Sequence, residues 1–191
     1  TGRRITDVMA DLHTFVETRT HPEGPVETFA TDTGSDDLIE EAMSSDDAAS
    51  IMLRFDDGAR GLVAVSQVSA GRKNSVSIEV DGASSALAWF SETPDHLWVG
   101  HRGRPNEILQ RDPSLASAEA GRIIGYPGGH VEGYPDTFRA LFGEVYADVA
   151  RGGPSPNPTY PTFAHGHDIL LVTEAVARSS QDKAWTSVQR E

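Results

Sequence analysis

From Ile5 to Arg19 apolar and polar positions alternate. Val8, Ala10, Leu12 and Val16 fall on one face, and Asp7, Asp11, His13 and Glu17 on the other. That period predicts one long, half-buried strand. Residues 20–47 are rich in Pro, Gly and acidic side chains, which predicts a polar excursion with room for a short helix around Asp37–Met43. Ala49, Ile51, Leu53 and Phe55 then alternate up to a turn at Asp57-Gly58. The return strand has Leu62, Ala64, Ser66 and Val68 on one face and Val63, Val65, Gln67 and Ser69 on the other. Apolar residues on both faces predict a central strand. After a turn at Gly71-Arg72-Lys73-Asn74, further strands are expected at Val76–Val80, Leu87–Phe90 and Leu97–His101. Residues 48–101 thus read as an antiparallel meander.

A stretch punctuated by Gly and Pro, 102–134, leads into a helix. Pro135 suits a first helical turn, Asp136 favours the positive helix N-terminus, and Gly152-Gly153 mark the stop. Phe138, Leu141, Phe142, Val145, Tyr146 and Val149 form a stripe at helical period. The segment 153–161 reads as an extended loop. A second helix is expected over Phe163–Ser180, with Thr162 as its cap and Leu170, Leu171, Val172, Ala175 and Val176 as its apolar positions. Trp185–Val188 reads as a last edge strand. This order predicts an α+β fold: an open, largely antiparallel sheet with two main helices on one face. The other face of such a sheet needs a partner, either another domain or another subunit.

Composition narrows the function. With 191 residues there is room for one ordinary domain, so 1–191 is read as a single one. Against 16 basic residues stand 29 acidic ones, a net charge of −13. No Lys/Arg stripe offsets it, so nucleic acid is not an expected partner. Cysteine is absent, which removes thiol chemistry, Cys-ligated zinc and disulfides and is compatible with the cytoplasm. No run approaches the ~18 apolar residues of a membrane span, so no membrane partner is expected. The chain opens at Thr1-Gly2-Arg3-Arg4, without an initiator Met and straight into strand pattern. We therefore expect a piece of a longer protein.

Candidate chemistry is sparse. Gly128-Gly129-His130-Val131-Glu132-Gly133 opens a helix and could offer backbone N–H groups to an anion. It could equally be a tight loop whose glycines supply positive φ. His130 is accessible there as a hydrogen-bonding or proton-carrying group, or is a plain surface histidine. His165, His167, Asp168 and Glu174 invite a metal reading, but His165 and His167 point about 200° apart on a helix and cannot share an ion. Arg72 in its cationic turn could grip a hydroxylated or carboxylated substrate or a cofactor phosphate, or be a solvated hairpin tip. Gln67 and His101 are polar groups on mostly apolar strands, either pocket-lining or simple sheet surface. The pairs Asp36-Asp37, Glu40-Glu41 and Asp46-Asp47 read as solvated charge. No strand–G-x-G-x-x-G–helix unit and no nucleophile elbow are present.

The runs Phe55-Asp-Asp-Gly-Ala-Arg-Gly61, Ser66-Gln-Val-Ser-Ala-Gly-Arg-Lys-Asn74, Glu79-Val-Asp-Gly82 and Pro127-Gly-Gly-His-Val-Glu-Gly-Tyr-Pro-Asp136, with Glu174-Ala-Val and Ser179-Ser180, resemble the C-terminal domain of the Gfo/Idh/MocA oxidoreductases. The resemblance covers nearly the whole chain, in order, and leans towards a sugar- or polyol-oxidising branch. It implies an NAD(P)-dependent enzyme with an N-terminal Rossmann domain, followed by this domain for substrate binding and oligomerisation through the open sheet face. It places the catalytic Lys and a D-x-x-x-H pair upstream of residue 1, so no catalytic, cofactor-binding or metal-binding residue is expected here. Gln67, Arg72, His101 and His130 are the side chains expected on the substrate side. Two readings stand beside it: a non-catalytic β-sheet module for dimerisation, and a His-ligated metalloprotein.

Overall fold

The computed structural model describes residues 2–23 and 38–190. In chain order the strands are β1 (Ile5–His13), β2 (Thr18–Pro22), β3 (Leu38–Ala42), β4 (Ala48–Phe55), β5 (Arg60–Ser66), β6 (Ser77–Asp81), β7 (Ser85–Phe90), β8 (His96–His101) and β9 (Glu107–Gln110). Helices α1 (Ala118–Ile123), α2 (Tyr134–Ala150) and α3 (Phe163–Asp182) follow, and β10 (Thr186–Ser187) closes the chain. The class is α+β, with open and antiparallel pairing throughout the described residues. The chain divides into two compact units, Thr1–Ala70 with Phe163–Glu191, and Gly71–Thr162.

The first unit is a sheet in the order β10-β1-β4-β5 with α3 packed on it. Its core is Val8, Ala10, Leu53, Ala175, Val176 and Val188. Leu171, Val172, Ala175 and Val176 form the packed stripe of α3, whereas Leu170 faces outward. Ala10, Ala175 and Ser179 are small, which lets the helix approach β1 closely. The reason for that approach lies in the backbone. β10 pairs with β1 only at Asp7 and Val8, so further along the outer edge of β1 has no strand beside it. There α3 takes the place of a strand: the Ala10 N–H donates to Ser179 Oγ at 2.9 Å and the Leu12 N–H to Ser180 Oγ at 3.1 Å. Ser179, fully buried, passes its own proton to the Ala184 carbonyl at 2.7 Å. Without these hydroxyls buried N–H groups would be left unpaired.

The single strand expected over Ile5–Arg19 is two strands, broken at 14–17. Asp47 causes the break. Its carboxylate accepts the Phe15 and Val16 N–H groups at 2.9 Å each, and its own N–H donates to the His13 carbonyl. A side chain thereby substitutes for ladder partners and turns the chain away after His13. The reading of Asp46-Asp47 as solvated charge is corrected for Asp47, which is buried. Glu40 and Glu41 are exposed, and Asp36-Asp37 lies outside the described residues. The short helix around Asp37–Met43 is also corrected: Leu38–Ala42 is β3, paired with β2 from Thr18↔Ala42 to Pro22↔Leu38. Pairing outweighed a weak helical period.

The expected meander does not run unbroken. It parts after β5, and β6-β7-β8-β9 form a separate sheet in the second unit. β5, expected to be central, is an edge strand with Leu62 82% exposed. Helix α3 covers the first unit's sheet, while α2 belongs to the second unit. In that unit Trp98 lies over Gly100, where a Cβ would meet the indole at 2.4 Å. Helix α1 is capped by Ser117, whose Oγ accepts the Ala120 N–H. At the end of α2 buried Asp148 accepts the Ser155 N–H at 2.9 Å and the Tyr160 hydroxyl at 2.7 Å, pinning the Pro-rich segment that follows.

Two outcomes follow. Ser179→Ala leaves the Ala10 N–H unpaired in the core and lowers unfolding free energy by about 1–3 kcal/mol; Ser180→Ala, on a partly exposed site, costs less, and denaturant unfolding compares them. The Asp47 carboxyl is held below its ordinary value by the Phe15 and Val16 N–H groups, against burial. Its contribution is therefore present above the unfolded carboxylate range and lost as pH falls through the lower folded value. Asp47→Asn is expected to be less stable than wild type at pH 7, with the gap closing below about pH 4 in pH-resolved thermal melts.

Candidate functional site

The glycine-rich loop before α2 is the part of the second unit with the most organised polar surroundings. At its centre is Arg111, just past the end of β9. Its Nε bonds Asp95 Oδ1 at 2.9 Å, and Nη1 lies 2.9 Å from Glu132 Oε2. Nη1 also donates to the Tyr126 carbonyl at 3.1 Å, and Nη2 to the His130 carbonyl. One guanidinium thus holds both ends of the Tyr126–His130 turn. Glu132 is itself gripped from two further sides, by the Gly125 N–H at 2.7 Å and Arg139 Nη2 at 2.8 Å. Side-chain exposures of 15% for Arg111, 9% for Asp95 and 10% for Glu132 set these charges apart from the solvated pairs elsewhere. Burial pushes the Asp95 carboxyl up, but the Arg111 hydrogen bond, the Glu132 N–H and nearby positive charge outweigh it and hold it below its ordinary value. The same Asp95 bond, with Glu132 behind it, raises Arg111.

The glycines inside the turn have separate reasons. Gly129 sits at φ +85°, a region that side chains disfavour. At Gly128 a Cβ would lie 2.8 Å from Asp112 Oδ2, and Asp112 is itself tied to the Ser114 N–H and hydroxyl. Gly128 and Gly129 border an open cavity of about 680 Å³, whose lining includes Trp89, Leu97, Leu109 and Arg111. That volume lies in the range of small-molecule sites.

The sequence-derived candidates are distributed unevenly. His130 is exposed at the tip of this loop, its N–H closing the turn onto the Pro127 carbonyl at 3.3 Å. Arg72 pairs with Glu92 at 2.9 Å, both exposed. Glu92 follows β7 at the end of the sheet where β8 begins and β9 ends, so Arg72 and His130 share that end. His101 lies at the opposite end, five residues along β8 or roughly 17 Å away at ~3.4 Å per residue. Its Nε2 is buried 3.3 Å from Glu107 Oε1, out of line for a hydrogen bond. Gln67, in the first unit, follows β5 with its N–H on the Asp47 carbonyl.

A family model described as an oxidoreductase family C-terminal alpha/beta domain, GFO_IDH_MocA_C, matches residues 17–188. The chain belongs to the Gfo/Idh/MocA oxidoreductase family. Levoglucosan dehydrogenase of Pseudarthrobacter phenanthrenivorans is 25% identical over 186 residues, which is 95% of this chain and 46% of that protein. A solved oxidoreductase from Sinorhizobium meliloti is 29% identical with a TM-score of 0.77, covering 96% of this chain and 46% of its own. A levoglucosan dehydrogenase solved with NADH and L-sorbose shares the fold at 22% identity and TM-score 0.77, over 98% of this chain and 46% of that one. The chain therefore spans about half the length of the relatives it matches.

Three N–H groups of the loop before α2 turn inward: His130 to the Pro127 carbonyl, Glu132 to Asp95 Oδ1, and Gly133 to Asp136 Oδ2. The Asp136 carboxylate already occupies the helix N-terminus. Of the two open readings of this loop, the geometry supports the tight turn. Among the described residues no three His, Asp or Glu side chains converge on a metal position, and Asp168 is engaged by Arg190 at 2.7 Å. Among the same residues no helix is long and apolar enough to cross a membrane.

Sequence reasoning missed the Asp95–Arg111–Glu132–Arg139 network. Its members lie on four elements or loops at spacings that follow no local period. The one available signal was Glu132 inside the motif that carried the family resemblance. Because Asp95 and Arg111 form a part-buried, hydrogen-bonded pair, Asp95→Ala is expected to cost about 1.5–3 kcal/mol. Glu92→Ala, which opens the solvated Arg72 pair, should cost under about 1 kcal/mol, and chemical denaturation of the two variants measures the contrast.

Proposed function

We propose that this domain is the substrate-binding and oligomerisation half of an NAD(P)-dependent sugar or polyol dehydrogenase, inert by itself. Family membership supports the oxidoreductase class. The substrate class is supported by the levoglucosan dehydrogenase relative and by the L-sorbose bound in a protein of the same fold. The observation that carries the reading is the pinned loop: a part-buried guanidinium holds the backbone of an exposed histidine beside an open cavity.

In this reading the hydride belongs to a nicotinamide held by an N-terminal Rossmann domain, which also supplies the Lys and the D-x-x-x-H pair. The residues of this chain bind and orient. His130 and Arg72 are the groups whose shared end of the sheet supports contact with substrate hydroxyls. Gln67 and His101 are assigned to the substrate side on their sequence positions alone. Exposed apolar residues on β5 and β6, among them Leu62, Val65 and Ile78, support burial against another subunit. The lack of cysteine is compatible with a cytoplasmic setting.

The test uses the protein with its natural upstream sequence. Reduced-nicotinamide absorbance is followed over a panel of sugars and polyols. Turnover of at least one is expected, and His130→Ala should raise the KM for it about tenfold, the loss of one substrate hydrogen bond. A folded, dinucleotide-binding protein that turns over none of the panel overturns the reading.

A further inference from the structure

We infer that Arg111 is a positioning residue for the sugar or polyol site, acting through the backbone of the turn that presents His130. The inference rests on the proposed function above for the part His130 plays. Its own basis is that this turn lacks the usual means of holding a shape. It is a loop, so no ladder or helix fixes it, and its two central residues are glycines, one of them at positive φ. Within the turn the one hydrogen bond is from the His130 N–H to the Pro127 carbonyl, at a long 3.3 Å. A loop of that kind samples many backbone states unless something outside constrains it.

The outside constraint is Arg111. It donates to the carbonyls of Tyr126 and His130, the residues flanking Pro127-Gly128-Gly129, so the distance between the two ends of the turn is set by the width of one planar guanidinium. The guanidinium cannot rotate away, because Nε is fixed on Asp95 and Nη1 lies against Glu132. Asp95 also receives the Glu132 N–H, and Glu132 receives the Gly125 N–H and Arg139. Each end of the loop is thereby referred to one point where β8 begins and β9 ends. The His130 side chain inherits its position from a carbonyl on its own residue. A lysine is a point charge without the fork and reaches at most one of the two carbonyls in this way, so Arg111→Lys tests the geometry while keeping the charge.

In the full-length enzyme, Arg111→Lys is expected to raise the KM for the sugar or polyol about tenfold, with kcat changed little and the dinucleotide KM unchanged. The double variant with His130→Ala should be no worse than the poorer single variant, because both remove the same contact. In the ligand-free protein, amide hydrogen exchange should quicken across residues 126–131 and stay as in wild type in β7 and β8. If Arg111→Lys does not fold, Glu132→Gln, which keeps an acceptor for the Gly125 N–H, is read by the same criteria. A wild-type KM in the folded positioning variant, together with a raised KM in His130→Ala, overturns the inference and leaves the functional reading standing. A wild-type KM in His130→Ala removes the substrate role of His130 itself. Additive losses in the double variant, or unchanged exchange at 126–131, also overturn the inference.

Discussion

The second unit turns on the Arg111 guanidinium lodged between Asp95 and Glu132. A charge drawn largely out of water needs to be paired and its donors used, and part-buried Arg111 meets both conditions with two carboxylates and two carbonyls. Meeting them draws together the turn after β7, the end of β9, the glycine-rich loop and, through Arg139, the first turns of α2. The sheet of this unit is small, and α2 is joined to its surroundings largely by side-chain bonds to α1 and to the loop that follows α2: Glu144 to Arg122 and Thr159, and Asp148 to Ser155 and Tyr160. Polar pairing organises this unit where apolar packing is thin.

The first unit solves a different problem. A strand edge that is half covered by a two-residue partner must find other acceptors for its N–H groups. Serines on α3 supply them, and this works only because Ala10 and Ala175 let the helix come close. Asp47 does the comparable service at the end of β1. In both places a short polar side chain takes the role of a missing strand.

Both devices bear on what a domain of this family contributes to catalysis. In the loop before α2 the His130, Glu132 and Gly133 N–H groups are committed inward. In the function proposed above, this chain supplies position: a support that brings a few polar groups to a cavity edge. A loop with two adjacent glycines is a poor support unless it is clamped, and here the clamp is a guanidinium held between two carboxylates.

Strands β1, β4 to β8 and β10, the helices α2 and α3 and the α+β class were legible in the chain because they rest on local period: Val8, Ala10 and Leu12 alternate, Leu171, Val172, Ala175 and Val176 recur, and Pro135 and Gly152 punctuate. The family resemblance was legible too, in motifs that keep their order. Other features depended on partners distant in sequence. Asp47 looked like solvated charge because its acceptors' partners, Phe15 and Val16, lie 32 and 31 residues away. β3 looked helical until β2 was beside it, and β5 looked central because its apolar pattern says nothing about whether a neighbour exists. Arg111 gave no signal at all: Asp95 and Glu132 become its partners only when separate strands and a loop meet. Periodicity reports which face of an element prefers to be dry; which element then covers it, and which charges are buried together, is decided by tertiary packing, because the desolvation that makes those pairs matter does not exist in the extended chain.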